Sequence, residues 1–260
     1  MAYLSPVLSL MINALKKASS SLARDFNELE HLQSATHKDV MFAQRAFERT
    51  ERVLKEELSK IKAEYPVIVE NDKILPNVEN YFLLCPIDGF SNFAHANENF
   101  AISVALVEKN AVIAGAIYNP VSDEMFFAEK GSGAFKEGFR NHERLRIAGT
   151  KQPEKALIAS CAEADLLQKV FKISPNIVIS GCVALDLAHL AAGKTDAVIT
   201  VNNTPATLAA GMLLVKESGG YVFAIGETDT RSEDLNKALF GGNIIATNEA
   251  MKQKIAEMSA

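Results

Sequence analysis

The chain has no tryptophan and only three cysteines, Cys85, Cys161 and Cys182, with no CxxC pair among them. An odd, scattered set favours a reducing compartment, the cytoplasm, over a disulfide framework. A dominant charge sign is missing too. With 27 basic and 32 acidic residues the net charge is −5, which gives no electrostatic reason to bind nucleic acid or an anionic membrane non-specifically. No apolar run is long enough to span a bilayer. The apolar stretch 7–12 has no basic segment before it and no small-residue cleavage pattern after it, so a targeting peptide is not expected. Low-complexity runs and internal repeats are absent. The remainder, 48% hydrophobic and 23% charged over 260 residues, suits a soluble globular chain of one large domain or two closely packed halves.

Two amphipathic helices open the chain. Leu8, Met11, Leu15, Ala18 and Leu22 recur at helical spacing within residues 6–24, and residues 25–32 read as irregular or strand. Phe47, Thr50, Leu54, Leu58 and Ile61 make one face of a helix over 44–62, which Tyr65-Pro66 ends. Residues 67–69 form a short strand delivering Glu70, and 71–80, with Pro76, form a loop. Strands at 100–107, 111–118 and 124–129 with short turns imply an antiparallel sheet. Gly131 and Gly133 read as a hairpin bend, since no helix follows to make them a phosphate loop. From about residue 150 strands (156–160, 177–180, 197–201, 221–225, 243–246) alternate with helices (183–192, 207–218, 248–258). The division expected is 1–148, an α+β half with the antiparallel sheet, and 149–260, an α/β half, in one compact unit.

Between these stretches lies Leu84-Cys85-Pro86-Ile87-Asp88-Gly89-Phe90-Ser91-Asn92-Phe93, an apolar strand that turns at Pro86 and Gly89 with an acid at the turn. Asp88 and the Ile87 carbonyl could face a cation there, and the amides beyond could face a phosphate. A tight turn whose Asp88 caps the next segment fits the same residues.

This stretch resembles the Asp-Pro-Ile/Leu-Asp-Gly-Thr-x-Asn-Phe signature of the inositol monophosphatase family, which includes fructose-1,6-bisphosphatase-like and bacterial extragenic-suppressor (SuhB-type) proteins. The resemblance runs over essentially the whole chain and implies a layered αβαβα sandwich. It also implies two or three Mg²⁺ ions that bind a phosphate monoester and activate water. Carried over by position, the metal ligands fall on Glu70, the Ile87 carbonyl and Asp88, with Glu70 and Asp88 as the catalytic acids. Other acidic positions have changed: one falls on Asn71, one on Cys85 and one on Thr207, the last in Ala206-Thr207-Leu208-Ala209-Ala210-Gly211. Glu217-Ser218-Gly219-Gly220 fixes that frame. An acidic position on the second helix falls on Phe47, and the threonine that helps hold the attacking water falls on Phe90. Substrate-facing positions fall on Gly89, Phe90, Ser91, Gly181, Cys182, Val183 and Thr200, the last where the family has a glutamate.

These replacements imply weak or absent Mg²⁺ binding, because closely spaced hard cations need several carboxylates. Losing one charge-stabilising group typically costs about 10²–10³ in rate. A thiolate at Cys85 would favour Zn²⁺, which wants at least three ligands; a small buried residue is the plainer reading of Cys85. His95 cannot be placed, His189 reads as packed, and His31, His37 and His142 read as solvated. Three functions follow as expectations. The first is a catalytically impaired regulator or scaffold, with the transcription and antitermination machinery as the partner class the SuhB branch implies. The second is a Mg²⁺-dependent phosphatase for inositol 1-phosphate or a related sugar or nucleotide phosphate. The third is a module that holds an anion at Gly89-Phe90-Ser91. The resemblance also implies a homodimer.

Overall fold

The computed structural model of the chain describes residues 4–32, 39–70, 72, 78–227 and 235–259. Asn71, His37 and Pro76 lie outside the described residues. Helices α1 (Pro6–Leu32) and α2 (Asp39–Ile61) pack together as the first layer. Seven strands make the first sheet in chain order: β1 (Val67–Val69), β2 (Tyr81–Asp88), β3 (Ala101–Glu108), β4 (Ala111–Asn119), β5 (Glu124–Glu129), β6 (Gly133–Lys136) and β7 (Glu143–Arg144). Only the β1–β2 pair is parallel among them. The short α3 (Phe90–Ala94) follows β2.

The second sheet has the order β11-β12-β10-β8-β9. Its strands are β8 (Ile158–Cys161), β9 (Ile177–Val178), β10 (Ala197–Thr200), β11 (Tyr221–Ala224) and β12 (Ile244–Thr247). β8 runs parallel to β9 and β10, while β12 is antiparallel to β10 and β11. Helices α5 (Val183–Ala191) and α6 (Pro205–Glu217) lie between the sheets, with α7 (Asn236–Gly241) beside α6. Helices α4 (Ala164–Ile173) and α8 (Lys252–Ser259) cover the outer face. The layers are therefore αβαβα, as expected.

Burial explains these layers. Strands β2 and β3 are buried over seven of eight positions because helices cover both faces, so they read as continuous apolar runs. Helix α6 is apolar all round and is buried from Ala206 to Val215. Its approach to the first sheet depends on Gly115, where an added Cβ would lie 2.8 Å from the Ala210 Cα. Among the described residues no helix is long and apolar enough to cross a membrane.

Several boundaries differ from the sequence reading. Residues 25–32 are helical, since Phe26 and Leu29 continue the buried face of α1. The polar Asp25 that interrupts the pattern is buried against Arg49 of α2, which donates to its carboxylate at 2.9 and 3.0 Å. Helix α2 starts before Gln44, with Ala43 buried. Strand β9 stops at Val178, β8 begins only at Ile158, and α8 begins at Lys252. Helices α3, α4 and α7 were not foreseen. α4 does carry an apolar face, Leu166, Val170 and Ile173 at helical spacing against the outer core, and the sequence reading passed over it. The Gly131/Gly133 hairpin is confirmed, and its amides serve an internal anion. Gly131 and Gly133 N–H donate to the Glu217 carboxylate at 2.8 and 2.9 Å.

Candidate functional site

Strand β1 runs parallel to β2 and ends at Val69 opposite Leu84, which brings Glu70 beside Cys85, ahead of the turn at Asp88. The pairing of β2 with β3 shifts register between Cys85 and Asp88. Pro86 lies inside that shift and has no N–H to give the ladder, so the bulge falls where a bond is already missing. Gly89 then takes φ +80°, and a Cβ there would lie 2.6 Å from the Asn99 carbonyl. Only glycine fits this corner. Asn92 fastens it by donating to the carbonyls of Asn99 at 2.7 Å and Ser180 at 2.8 Å.

Two hydrogen-bonded strings converge on the turn. In the first, the fully buried Cys85 thiol donates to Glu70 Oε2 at 2.9 Å, and Thr207 Oγ1 approaches Cys85 Sγ at 3.9 Å. Thr207 also lies 3.1 Å from Thr204 Oγ1, the side chain that caps α6. In the second, Asp88 Oδ2 accepts from the Ala184 amide at 2.6 Å and from the Cys182 thiol at 3.2 Å. Asp88 thus does not cap α3, which has no side-chain cap; it serves the N-terminus of α5 instead, where negative charge is favoured.

Burial dominates the electrostatics. It pushes Asp88 up to about 6 against the pull of the Ala184 amide and the Cys182 thiol, and the Glu70 charge adds to the rise. Glu70 is raised as well, by burial first, with the Cys85 thiol opposing and Glu51 adding. Burial, then Asp88 and Glu70, lift the Cys85 thiol well above its ordinary range. Burial and the two neighbouring acids thus favour the protonated thiol, the form that donates to Glu70. Cys182 is raised in the same way, by burial and then Asp88.

Phe90 meets Phe47 edge to face, with centroids 6.3 Å apart and rings at 74°. Gly181 turns at φ +75° beside Asn92, Cys182 stands at the N-cap of α5, and Val183 is buried. Ser91 is exposed on α3. Thr200 is fully buried, pairs in register with Cys161, and accepts from Asn203 Nδ2 at 2.9 Å. His95 Nδ1 lies 2.8 Å from the Ser91 carbonyl. The ring of His189 packs edge-on against Phe126 and lies 3.7 Å from Glu124. His31 is exposed, but His142 corrects the expectation: its ring packs on Phe127 at 5.0 Å and its Nδ1 is buried.

Asp186 was missed. It is 5% exposed on the first turn of α5, and burial pushes it up to about 7, with the Ser180 hydroxyl lowering and the Asp88 charge raising it. The signal was a lone acid inside Val183-Ala184-Leu185-Asp186-Leu187-Ala188, where an unpaired charge has no structural reason to sit. The oxygen donors that could face a cation are Glu70, Asp88 and the Ile87 carbonyl. Among the described residues no group of three or more His, Cys, Asp or Glu side chains is gathered to hold a metal ion.

The layered sandwich with its turn at Asp88 has close structural counterparts. The crystal structure of the extragenic suppressor protein SuhB from Bartonella henselae superposes with a TM-score of 0.83 at 32% identity, covering 99% of each chain. The inositol-1-monophosphatase of Rhizobium meliloti is 31% identical over 266 residues, covering 98% of this chain and 96% of that protein. The Nus factor SuhB of Xylella fastidiosa is 30% identical over 232 residues, 84% of this chain and 81% of that protein. A sequence model of the inositol monophosphatase family matches residues 3–260, and the chain belongs to that family.

Proposed function

We propose that this chain is a SuhB-like inositol monophosphatase family protein whose Mg²⁺-dependent phosphate-monoester hydrolysis is impaired, and that it acts as a regulator or scaffold in the cytoplasm. The observation that carries the reading is the Glu70–Cys85–Thr207 string. Where the family resemblance calls for carboxylates, the Cys85 thiol donates to Glu70 and the Thr207 hydroxyl donates to the Cys85 sulfur. The donor set does not fit a cage for two or three hard cations, which need several anionic oxygens. The Phe47–Phe90 pair adds to this, since it sets two rings where the resemblance places an acid and the water-holding threonine.

The second reading, an active phosphatase for inositol 1-phosphate or a related sugar or nucleotide phosphate, is favoured by one feature. Glu70 and Asp88 are kept and lie near enough for the Glu70 charge to raise Asp88, and Mg²⁺ often takes only one or two carboxylates plus substrate oxygens. Calorimetric titration of Mg²⁺ with and without inositol 1-phosphate, with phosphate release followed in the same samples, separates the two. We expect no turnover above buffer. Mg²⁺-dependent release that Asp88→Asn abolishes would overturn the proposal.

The name Nus factor, carried by the Xylella relative, supports a partner in the transcription and antitermination machinery, with no sequence-specific nucleic-acid contact by this chain itself. A homodimer is part of the same proposal. Strand β9 is an open sheet edge, and the neighbouring Val178 and Ile179 are 39% and 63% exposed. Light scattering should give the mass of two chains, and Ile179→Lys should shift it toward one. Capture of the partner should survive Glu70→Gln and Asp88→Asn; losing it in those variants would tie the partner to the acidic site.

A further inference from the structure

A cavity of about 330 Å³ opens at the carboxyl ends of β8 and β10, between the start of α4, the loop after β10 and the residues flanking β11 and β12. β8 and β10 are parallel neighbours whose onward loops part. The first leads to α4 on the outer face, and the second leads to α6 between the sheets. Such a parting leaves a crevice beyond the strand ends, the usual ligand position in open α/β sheets. The volume falls at the lower end of the range for small-molecule sites, roughly 300–1,000 Å³.

The crevice is distinct from the candidate site. Ala159 and Val198 belong to the core between the sheets, and Ile158 and Ile199 belong to the outer core. By strand alternation Cys161 and Thr200 therefore face inward. Leu166 and Ile225, which line the cavity, pack on the outer core instead.

The lining is polar and close to neutral. Asp165 and Lys169 stand one turn apart on α4 and offset each other in charge. Glu163 occupies the N-cap of the same helix, whose dipole offsets part of its charge. Neither an anion nor a cation finds a net opposite charge there. Asn202, at φ +60°, donates its N–H to Asn243 Oδ1 at 2.8 Å and its Nδ2 to Glu163 Oε1 at 3.3 Å. One asparagine thus fixes both neighbours and leaves Glu163 Oε2 to accept and Asn243 Nδ2 to donate. An acceptor and a donor held together suit adjacent hydroxyls, each of which does both.

We propose that this crevice binds a small neutral polyol, a sugar-sized molecule whose vicinal hydroxyls meet Glu163 and Asn243 and whose carbon face rests on Leu166, Val201 and Ile225. The site does not rest on the reading given for Glu70 and Asp88. It would stand whether or not that site turns over phosphate esters.

The probe is cis-1,2-cyclohexanediol, titrated into the full chain while the methyl resonances of Leu166, Val201 and Ile225 are followed. Cyclohexanol, cyclohexylamine and cyclohexanecarboxylate keep the carbon ring and serve as controls. Saturable shifts with the diol are expected, with each control at least about tenfold weaker, the equivalent of one hydrogen bond of about 1.4 kcal/mol. Glu163→Ala, at an exposed position whose side chain makes no cap bond, should weaken the diol by a similar factor. Any control binding as tightly as the diol, shifts confined to Val183 at the candidate site, unchanged affinity in Glu163→Ala, or no saturable shift at all would each overturn the proposal.

Discussion

In the presence of a chelator the folded chain is expected to lose stability as pH rises from about 4 to about 7, the reverse of ordinary acid denaturation. Asp88 and Asp186 are responsible. Their folded-state values are pushed up to about 6 and about 7 from the ordinary 3.8, with burial the largest cause for both. A carboxyl raised in this way binds more protons folded than unfolded across that window. Its stabilising contribution is full below the ordinary value and is lost as pH passes the folded one. One pKa unit is worth about 1.4 kcal/mol, so the loss is on the order of 3 kcal/mol for Asp88 and 4 kcal/mol for Asp186. The two acids feel each other, and the macroscopic steps belong to the pair.

Two other groups oppose the trend and can be separated from it. Glu124 is held down to about 2 by Lys136 and Lys194 against the cost of burial, so its contribution disappears only below about pH 4.5. His189 is lowered by burial and by Lys194, and it favours the folded state as it loses its proton. Comparison with Asp186→Asn cancels both. Urea midpoints across the window should fall in the parent and fall about half as far in the variant, which keeps Asp88. A parent whose midpoint changes toward neutral pH just as the variant's does would show that buried Asp186 carries no such cost.

The elements legible in the sequence were those with a strong internal period. The buried face of α1 and α2, the hairpins of the first sheet and the apolar α6 all announce themselves in the spacing of Leu, Ala and Val. What stayed hidden depends on contacts between distant residues. Asp25 looked like the end of a helix because its partner, Arg49, lies on the next one. Asp88 looked like a cap for its own turn, yet its partners are Cys182 and Ala184 on α5. Phe47 and Phe90 were each marked as unusual replacements by the family resemblance, and neither position by itself says that the rings touch. Asp186 was legible in principle as an acid in an apolar run, but no motif drew attention to it. The short α3 and α7 carry too little period to be read at all.

The double variant Cys85→Asp, Thr207→Asp should be unstable without a divalent cation and should regain stability when Mg²⁺ is added. Both positions are buried, at 0% and 6% exposure, beside Glu70 and Asp88. Two further carboxylates there have no counter-charge, and an uncompensated buried charge costs about 3–5 kcal/mol. The dipole of α6 recovers a small part at position 207, about 0.3–1 kcal/mol. Mg²⁺ at a hundred times its Kd would return about 2.7 kcal/mol by mass action. The parent has only Glu70 and Asp88 to offer, each already accepting a thiol, so its melting temperature should move much less. Cys85→Asn with Thr207→Asn controls for shape, because the amides fill the same space without charge and should show no Mg²⁺ dependence. Equal Mg²⁺ shifts in the parent and the double variant would mean that the present donors already hold the ion well, and the impaired-site reading would fall. Phosphate release is a separate matter, since the Phe47–Phe90 rings remain in the double variant. Mg²⁺-dependent stability without turnover is the expected combination. Adding Phe90→Thr is then the step that asks whether water can reach the restored acids.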